Sequence, residues 1–238
     1  MRCVSPRRPA PGGPLVSVIV PTIDEEKALP GLLDHVESLA GRWEVLVADG
    51  GSCDATVDIA LGRDVRVVHA SGGRPRQLNA AAGEAGGDLL LFLHADSRLP
   101  AGAYASLASA TMDPGIAGGN FALRFDGEDR FARLLSAAYA FQRRFGFYYG
   151  DSSVWVRREV FERLGGYREL EIMDDYDFVR RLEAGHRTAC LSGPARTSDR
   201  RWRRAGLART LLSWWAIRLL YVAGVPPARL ARLYRRVR

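Results

Sequence analysis

Apolar positions in the first hundred residues alternate between two periods. Residues 15–20 form a short, nearly continuous apolar run (Leu15-Val16-Ser17-Val18-Ile19-Val20) closed by Pro21, which predicts a buried parallel strand. Leu29, Leu32, Leu33, Val36 and Leu39 then recur at three- and four-residue spacing, which predicts a helix. The alternation repeats with a strand at 44–48, a helix from Asp54, and a strand at 65–69. An alanine-rich helix reaching about Gly86, a strand at 89–93 and a helix at 101–112 complete it. Strand–helix units in series predict an α/β fold: a mostly parallel, doubly wound central sheet with helices on both faces.

The second half is less regular. A strand is expected at 116–125, crossing Gly118-Gly119, and a helix at 131–145. An aromatic loop bounded by glycines follows, Gly146-Phe147-Tyr148-Tyr149-Gly150-Asp151, either core or the lining of an acceptor pocket. A short strand at 154–157 and a helical turn at 158–164 lead to Gly165-Gly166, then to a helix opening on Asp174-Asp175-Tyr176-Asp177. Residues 205–225 are apolar with Arg209 and Arg218 as interruptions, too short a run to span a bilayer. Trp214-Trp215 flanked by arginines suits an amphipathic helix in a membrane interface, or a terminal helix packed on the sheet.

The chemistry gathers at the C-terminal ends of the strands, where open α/β sheets bind ligands. His94 and Asp96 end the 89–93 strand, and residues two apart on an extended chain share a face. An Asp and a His there suit Mn²⁺ or Mg²⁺ held jointly with a diphosphate; local turn chemistry is the alternative. Asp49, before Gly50-Gly51-Ser52, is placed either to accept a hydrogen bond from a nucleobase or ribose or to shape the turn. Asp24 and Glu25 are expected at a helix start, where the dipole favours them. Gly72-Gly73-Arg74-Pro75-Arg76 resembles an anion cradle. Crowding of Asp174, Asp175 and Asp177 raises carboxylate pKa values, as a general base requires, and also suits helix capping.

Charge sharpens the picture. The net charge is +7, but residues 196–238 hold twelve arginines against one acidic residue, leaving the remainder at −4. A basic tail on a slightly acidic body points to an anionic surface, and the chain carries no recognisable nucleic-acid module. Three cysteines without metal or redox spacing suit a reducing cytoplasm. Residues 1–14 read as a disordered leader without a signal-peptide core. No G-x-G-x-x-G follows the first strand and no P-loop is present, which argues against NAD enzymes and P-loop kinases.

Taken in order, these blocks resemble the family 2 glycosyltransferases of the GT-A fold. The resemblance rests on Val18-Ile19-Val20-Pro21-Thr22 with Glu25, Val47-Ala48-Asp49-Gly50-Gly51-Ser52-Cys53-Asp54, and Gly73-Arg74-Pro75-Arg76-Gln77-Leu78-Asn79. It continues through Phe92-Leu93-His94-Ala95-Asp96, Gly150-Asp151 with Gly165-Gly166-Tyr167, and Ile172-Met173-Asp174-Asp175-Tyr176-Asp177. More narrowly, the chain is similar to short bacterial members labelled arsenosugar-biosynthesis or carotenoid-type glycosyltransferases.

The resemblance implies a single GT-A domain at 15–195, with 196–238 as a basic C-terminal loop and amphipathic helices. It implies Pro21, Thr22 and Glu25 against the nucleotide, Asp49 on the uracil or ribose, and Arg76 near the base or phosphates. His94 and Asp151 would also meet substrate. Asp96 would hold Mn²⁺ or Mg²⁺ against the diphosphate, and Asp175, with Asp174 beside it, would serve as catalytic base. From charge and position, Arg200 and Arg201 are expected to clamp the diphosphate from a closing loop. The chain departs from the family pattern with His94-Ala95-Asp96 for Asp-x-Asp, Asp174 for Glu, and Ser152 for Gln.

The expected activity is inverting, metal-dependent transfer of a sugar from a nucleotide-diphosphate donor, with UDP favoured, to an acceptor hydroxyl on a lipid, carotenoid or small metabolite. The expected location is cytoplasmic, peripheral at the inner membrane face. The rivals are a non-catalytic nucleotide-sugar or membrane-surface binding module and a sugar-phosphate nucleotidyltransferase. The latter wants a basic glycine-rich loop where this chain has Pro21-Thr22-Ile23-Asp24-Glu25.

Overall fold

The computed structural model describes residues 12–127, 129–197 and 207–237. Seven strands form one sheet: β1 (Val16–Thr22), β2 (Trp43–Asp49), β3 (Arg66–His69), β4 (Leu89–Phe92), β5 (Ile116–Phe125), β6 (Trp155–Arg157) and β7 (Arg187–Thr197). Their order is β3-β2-β1-β4-β6-β5-β7, and β6 runs against both of its neighbours. The helices are α1 (Leu29–Ser38), α2 (Thr56–Leu61), α3 (Arg74–Glu84), α4 (Ala103–Thr111), α5 (Arg130–Arg143), α6 (Arg158–Arg163), α7 (Asp174–Gly185), α8 (Leu207–Val222) and α9 (Pro227–Val237).

The unbroken apolar runs have a direct cause, since the central strands are covered on both faces. Val16, Val18 and Val20 with Leu89, Leu91 and Leu93 pack under Leu29, Leu32 and Leu33 of α1 and Leu107 of α4. Ile19, Leu90 and Phe92 face the opposite way, onto Leu78 and Ala81 of α3, Phe161 of α6 and Phe178 of α7. Gly118 and Gly119 let β5 run close between its neighbours. A Cβ at Gly119 would lie 1.9 Å from the Ala189 carbonyl oxygen, and one at Gly118 would lie 2.6 Å from that of Trp155.

Four details differ from the sequence expectations. The first strand continues through Pro21 to Thr22. Asp24 and Glu25 do not start α1, which begins at Leu29 with no acidic residue in its first turn. They tie two loops together instead: Asp24 adopts a left-handed backbone (φ 54°), its amide donates to the Ser52 hydroxyl, and its carboxylate accepts from the Cys53 amide (2.8 Å). The 11-residue β7 was not anticipated at all. Of the expected leader, residues 1–11 lie outside the described residues, while Gly13 and Pro14 are held by Arg42 and Tyr104.

The Trp214-Trp215 pair divides between the two readings offered for it. Trp214, Ile217 and Tyr221 turn inward onto Met173, Tyr176, Phe147 and Tyr149, whereas Trp215 stays half exposed. Arg218, one of the expected interruptions, is buried, with its guanidinium 4.1 Å from the Trp215 ring and 3.2 Å from the Gln142 side-chain oxygen. No helix among the described residues is long and apolar enough to cross a membrane.

Candidate active site

The site forms where β1 and β4 end. Alternation along β1 turns Ile19 and Pro21 toward β4; the Ile19 carbonyl accepts from the Leu93 amide, and β4 ends at Phe92. The amide that Pro21 lacks therefore faces a position with no ladder left to serve. Here the cleft opens, lined by Pro21, Leu78, Phe92, His94, Tyr167 and Asp175, among others.

Past Phe92 the chain is not extended. The Ser97 amide donates to the His94 carbonyl (3.0 Å), so residues 94–97 form a turn, and His94 and Asp96 do not share a strand face as expected. The turn is pinned to β7 by reciprocal 2.8 Å backbone bonds between Arg98 and Arg196. His94 is half-buried in the cleft, beside Gly150 and Asp175, while Asp96 is exposed on the turn.

The N-terminus of α7 supplies a cluster of carboxylates. Met173 takes a left-handed conformation (φ 66°) and delivers Asp174 and Asp175 into the first turn. Arg74 grips Asp174 with two parallel bonds (3.0 and 2.8 Å) and stands 3.4 Å from Asp175. Asp175 also accepts from the Gly150 amide (2.9 Å) and from its neighbour's amide at Tyr176 (2.7 Å). Burial opposes its charge, but Arg74, these two amides and His94 outweigh burial and hold its carboxyl below the usual range, the reverse of the rise expected from crowding, because the cation and amides favour the charged form. For Asp174, burial and the adjacent Asp175 prevail over Arg74 and push the carboxyl up. The two carboxyls are thus pushed in opposite directions, Asp175 toward its charged form.

Asp177, the third carboxylate, turns away. It accepts from Arg181 (2.8 Å), Arg168 (3.1 Å) and the Tyr221 hydroxyl (3.2 Å), and so ties α7 to α8.

The remaining predicted residues have varied positions. Asp49 is buried, with its carboxylate taken up by the Gly51 and Ser52 amides, the Ser52 hydroxyl and His69. Burial opposes its charge, yet these bonds hold it below the usual range, and they organise the loop. Thr22 is buried; its carbonyl accepts from Gly50 and from Gln77, whose side chain also bonds the Ala48 carbonyl and so clasps β1 to β2. The Glu25 amide donates to Thr56 (2.8 Å). Arg76 pairs with Glu169 at the surface. Asp151 lies against Tyr139. Ser152 is buried and donates to the Tyr149 carbonyl. Arg200 and Arg201 lie outside the described residues.

On the side of Asp175 away from the strand ends, Tyr149 stacks on Tyr176 (6.1 Å) and meets Trp214 (6.0 Å). Gly150 joins this aromatic group to the carboxylates. A Cβ there would lie 3.3 Å from both Arg74 and Asp175 and 3.4 Å from His94. Gly150→Ala is expected to lower turnover roughly tenfold, since sub-ångström displacement of reacting groups carries costs of that order. Its melting temperature should stay near that of the wild type, and unchanged turnover would contradict the tight packing drawn here.

Comparison with known proteins bears on this arrangement. Residues 17–166 match the family model described as glycosyl transferase family 2. The chain is 30% identical to the PGL/p-HBAD biosynthesis glycosyltransferase of Mycobacterium tuberculosis (strain ATCC 25177 / H37Ra), with 76% of this chain and 72% of that one covered. Among solved structures it is similar to S. aureus TarS 1–349 in complex with UDP-GlcNAc (TM-score 0.62, 16% identity), covering 78% of this chain and 59% of that one. It is also similar to the mannosyltransferase PcManGT from Pyrobaculum calidifontis in complex with GDP-Man and Mn²⁺ (TM-score 0.61, 23% identity), covering 90% and 68%. At such identities the structures establish a shared GT-A fold.

Proposed function

Because the chain belongs to glycosyl transferase family 2, and is therefore a sugar-transferring enzyme, we propose that Asp175 is the base of an inverting transfer from a nucleotide-diphosphate sugar to an acceptor hydroxyl. The observation that carries this is the placement of Asp175, held by Arg74 and the Gly150 amide in a cleft at the ends of β1 and β4. The Asp175 carboxylate takes the acceptor proton as that oxygen bonds to the anomeric carbon. The bond from that carbon to the diphosphate breaks on the opposite face, inverting the centre, and the electron pair leaves with the diphosphate. Asp174, fixed by Arg74, keeps the helix start in register.

A divalent cation fits the donor set. No group of three His, Cys, Asp or Glu side chains among the described residues forms a protein cage. Mn²⁺ and Mg²⁺ in such sites are held through one or two carboxylates together with substrate phosphates and water. Asp96, exposed on the turn that begins at His94, would be that carboxylate, and the bound ion would offset charge on the departing diphosphate. We favour a UDP-linked sugar, with GDP as the second candidate; the two liganded neighbours carry one of each. The acceptor is a lipid or small-molecule hydroxyl. The location is the cytoplasm, at the inner membrane face, in keeping with the free, exposed Cys53 and Cys190.

The test is calorimetric titration of UDP and GDP, with and without Mn²⁺, into wild type and Asp96→Ala. One diphosphate should bind about tenfold or more tightly with Mn²⁺, and Asp96→Ala should erase that gain while leaving metal-free binding as it was. Equal Mn²⁺ enhancement in the variant would remove Asp96 from the metal site, and no binding of either nucleotide would overturn the donor assignment.

A further inference from the structure

Two helices carry an apolar stripe on each of two opposite sides. Ala132, Leu135 and Tyr139 of α5 pack inward, as do Trp214, Ile217 and Tyr221 of α8. Yet Leu134 and Phe141 of α5, with Phe145 just beyond it, are about 60% exposed. On α8, Leu212, Trp215 and Leu219 are 50–71% exposed. The spacings, 134–141–145 and 212–215–219, each trace one helical face. A soluble surface helix ordinarily shows charge on its outer side. The two helices meet, since Trp214 packs against the α5 cluster and Arg218 of α8 donates to Gln142 of α5 and lies 4.1 Å from the Trp215 ring, which brings the two outer stripes near one another.

The helices α5, α8 and α9 themselves carry charge of one sign, with Asp129 capping the start of α5 as the nearest acidic residue along the chain. Residues 130–147 and 207–237 contain no Asp or Glu. Arg130, Arg133 and Arg144 around α5, and Arg229 and Arg232 on α9, are exposed. A second copy of the chain seated on the same face would bring like charges together, which disfavours self-association. An anionic lipid surface offers both an apolar layer for the rings and a negative head-group layer for the arginines.

We propose that the outer faces of α5 and α8 form a docking surface for an anionic bilayer, with Phe141, Phe145, Trp215 and Leu219 entering the head-group boundary. The proposal deepens the membrane-peripheral reading above, and its membrane contact does not depend on the assignment of Asp175. Because the inner face of α8 rests on Tyr176, docking sets Asp175 about one helix thickness, about 10 Å, from the lipid.

The experiment is co-sedimentation of the full chain with phosphatidylglycerol–phosphatidylcholine vesicles and with pure phosphatidylcholine vesicles. Wild type should pellet with the anionic vesicles, less so at high salt, and remain in the supernatant with the neutral ones. Phe141→Ser/Trp215→Ser should lower partitioning about tenfold or more. Arg229→Glu/Arg232→Glu should weaken it independently, both variants keeping the wild-type melting temperature and UDP and GDP titrations. Wild type remaining in the supernatant, or an apolar double variant that partitions like wild type, would overturn the proposal. So would a concentration-dependent dimer that the double variant abolishes, because the face would then be a self-association interface. The nucleotide titrations report separately on the catalytic reading.

Discussion

Asp175→Asn is expected to lower sugar transfer by about 10² to 10⁴ while leaving nucleotide-diphosphate binding within about twofold of wild type. Asparagine preserves the shape and one acceptor oxygen, which can keep the Gly150 amide bond at the expense of the bond from the Tyr176 amide. It cannot take a proton from the attacking hydroxyl. Release of nucleoside diphosphate from a UDP- or GDP-sugar, with and without acceptor extract, measures the first quantity, and calorimetry measures the second. Turnover within tenfold of wild type would sink the base assignment. Loss of nucleotide binding would mean that the residue holds the donor instead.

Arg74→Met comes next in expected size. It leaves two adjacent carboxylates at a buried helix start without their cation, a change that costs about 3 kcal/mol in comparable ion pairs. Arg74 keeps about a third of its side-chain surface, which places the value at the low end of that range. The pH consequence follows from sign. In the wild type, the depressed Asp175 adds stability above its unfolded pKa that is lost as pH falls through its lower folded value. The raised Asp174 contributes the reverse: stability at low pH that is lost as pH rises through its folded value. The two partly cancel in stability, but in the proposed mechanism only Asp175 takes the acceptor proton. Removing Arg74 frees Asp175 to rise; His94 and the Gly150 and Tyr176 amides still face it, with Asp174 opposing them. The acid limb of the activity profile should therefore move to higher pH, and Arg74→Lys should restore part of it as a point charge without the bidentate fork. Urea melts and pH–rate profiles check both halves, and an unmoved acid limb in Arg74→Met would show that the arginine serves only the fold.

The central strands were legible because burial on both faces leaves a run such as Leu89 to Leu93 without polar breaks. β7 was not, since Gly193-Pro194 interrupts it and much of its outward side is polar, so that only pairing with β5 defines it. The turn at 94–97 carries no Gly or Pro, only the weaker turn formers Asp96 and Ser97, and the Arg98–Arg196 bridge holds it from a distance. A pattern read along the chain therefore extends the strand too far. Arg74 was recoverable in principle. It stands four residues before Leu78 and seven before Ala81, on the stripe of α3 that meets the sheet, whereas Arg76 is two from Leu78 and points outward. The resemblance placed Arg76 near the base or phosphates, whereas it is Arg74 that reaches the carboxylates and Arg76 that pairs with Glu169. Asp177 was grouped with its neighbours by sequence crowding, but helical rotation carries it round to Arg181 and Tyr221.

The two halves of the cleft are fastened by different kinds of contact. The loops after β1 and β2 are stitched by short, directional bonds: Asp24 to Cys53, Glu25 to Thr56, Glu26 to Asp54. Across Asp175, Tyr149, Tyr176 and Trp214 meet through ring faces and edges, which tolerate sliding and exchange of one apolar side chain for another. For protein engineering this divides the cleft unequally. Libraries built on the aromatic wall should return many folded variants with altered substrate range, while those on the stitched loops should return few that fold at all.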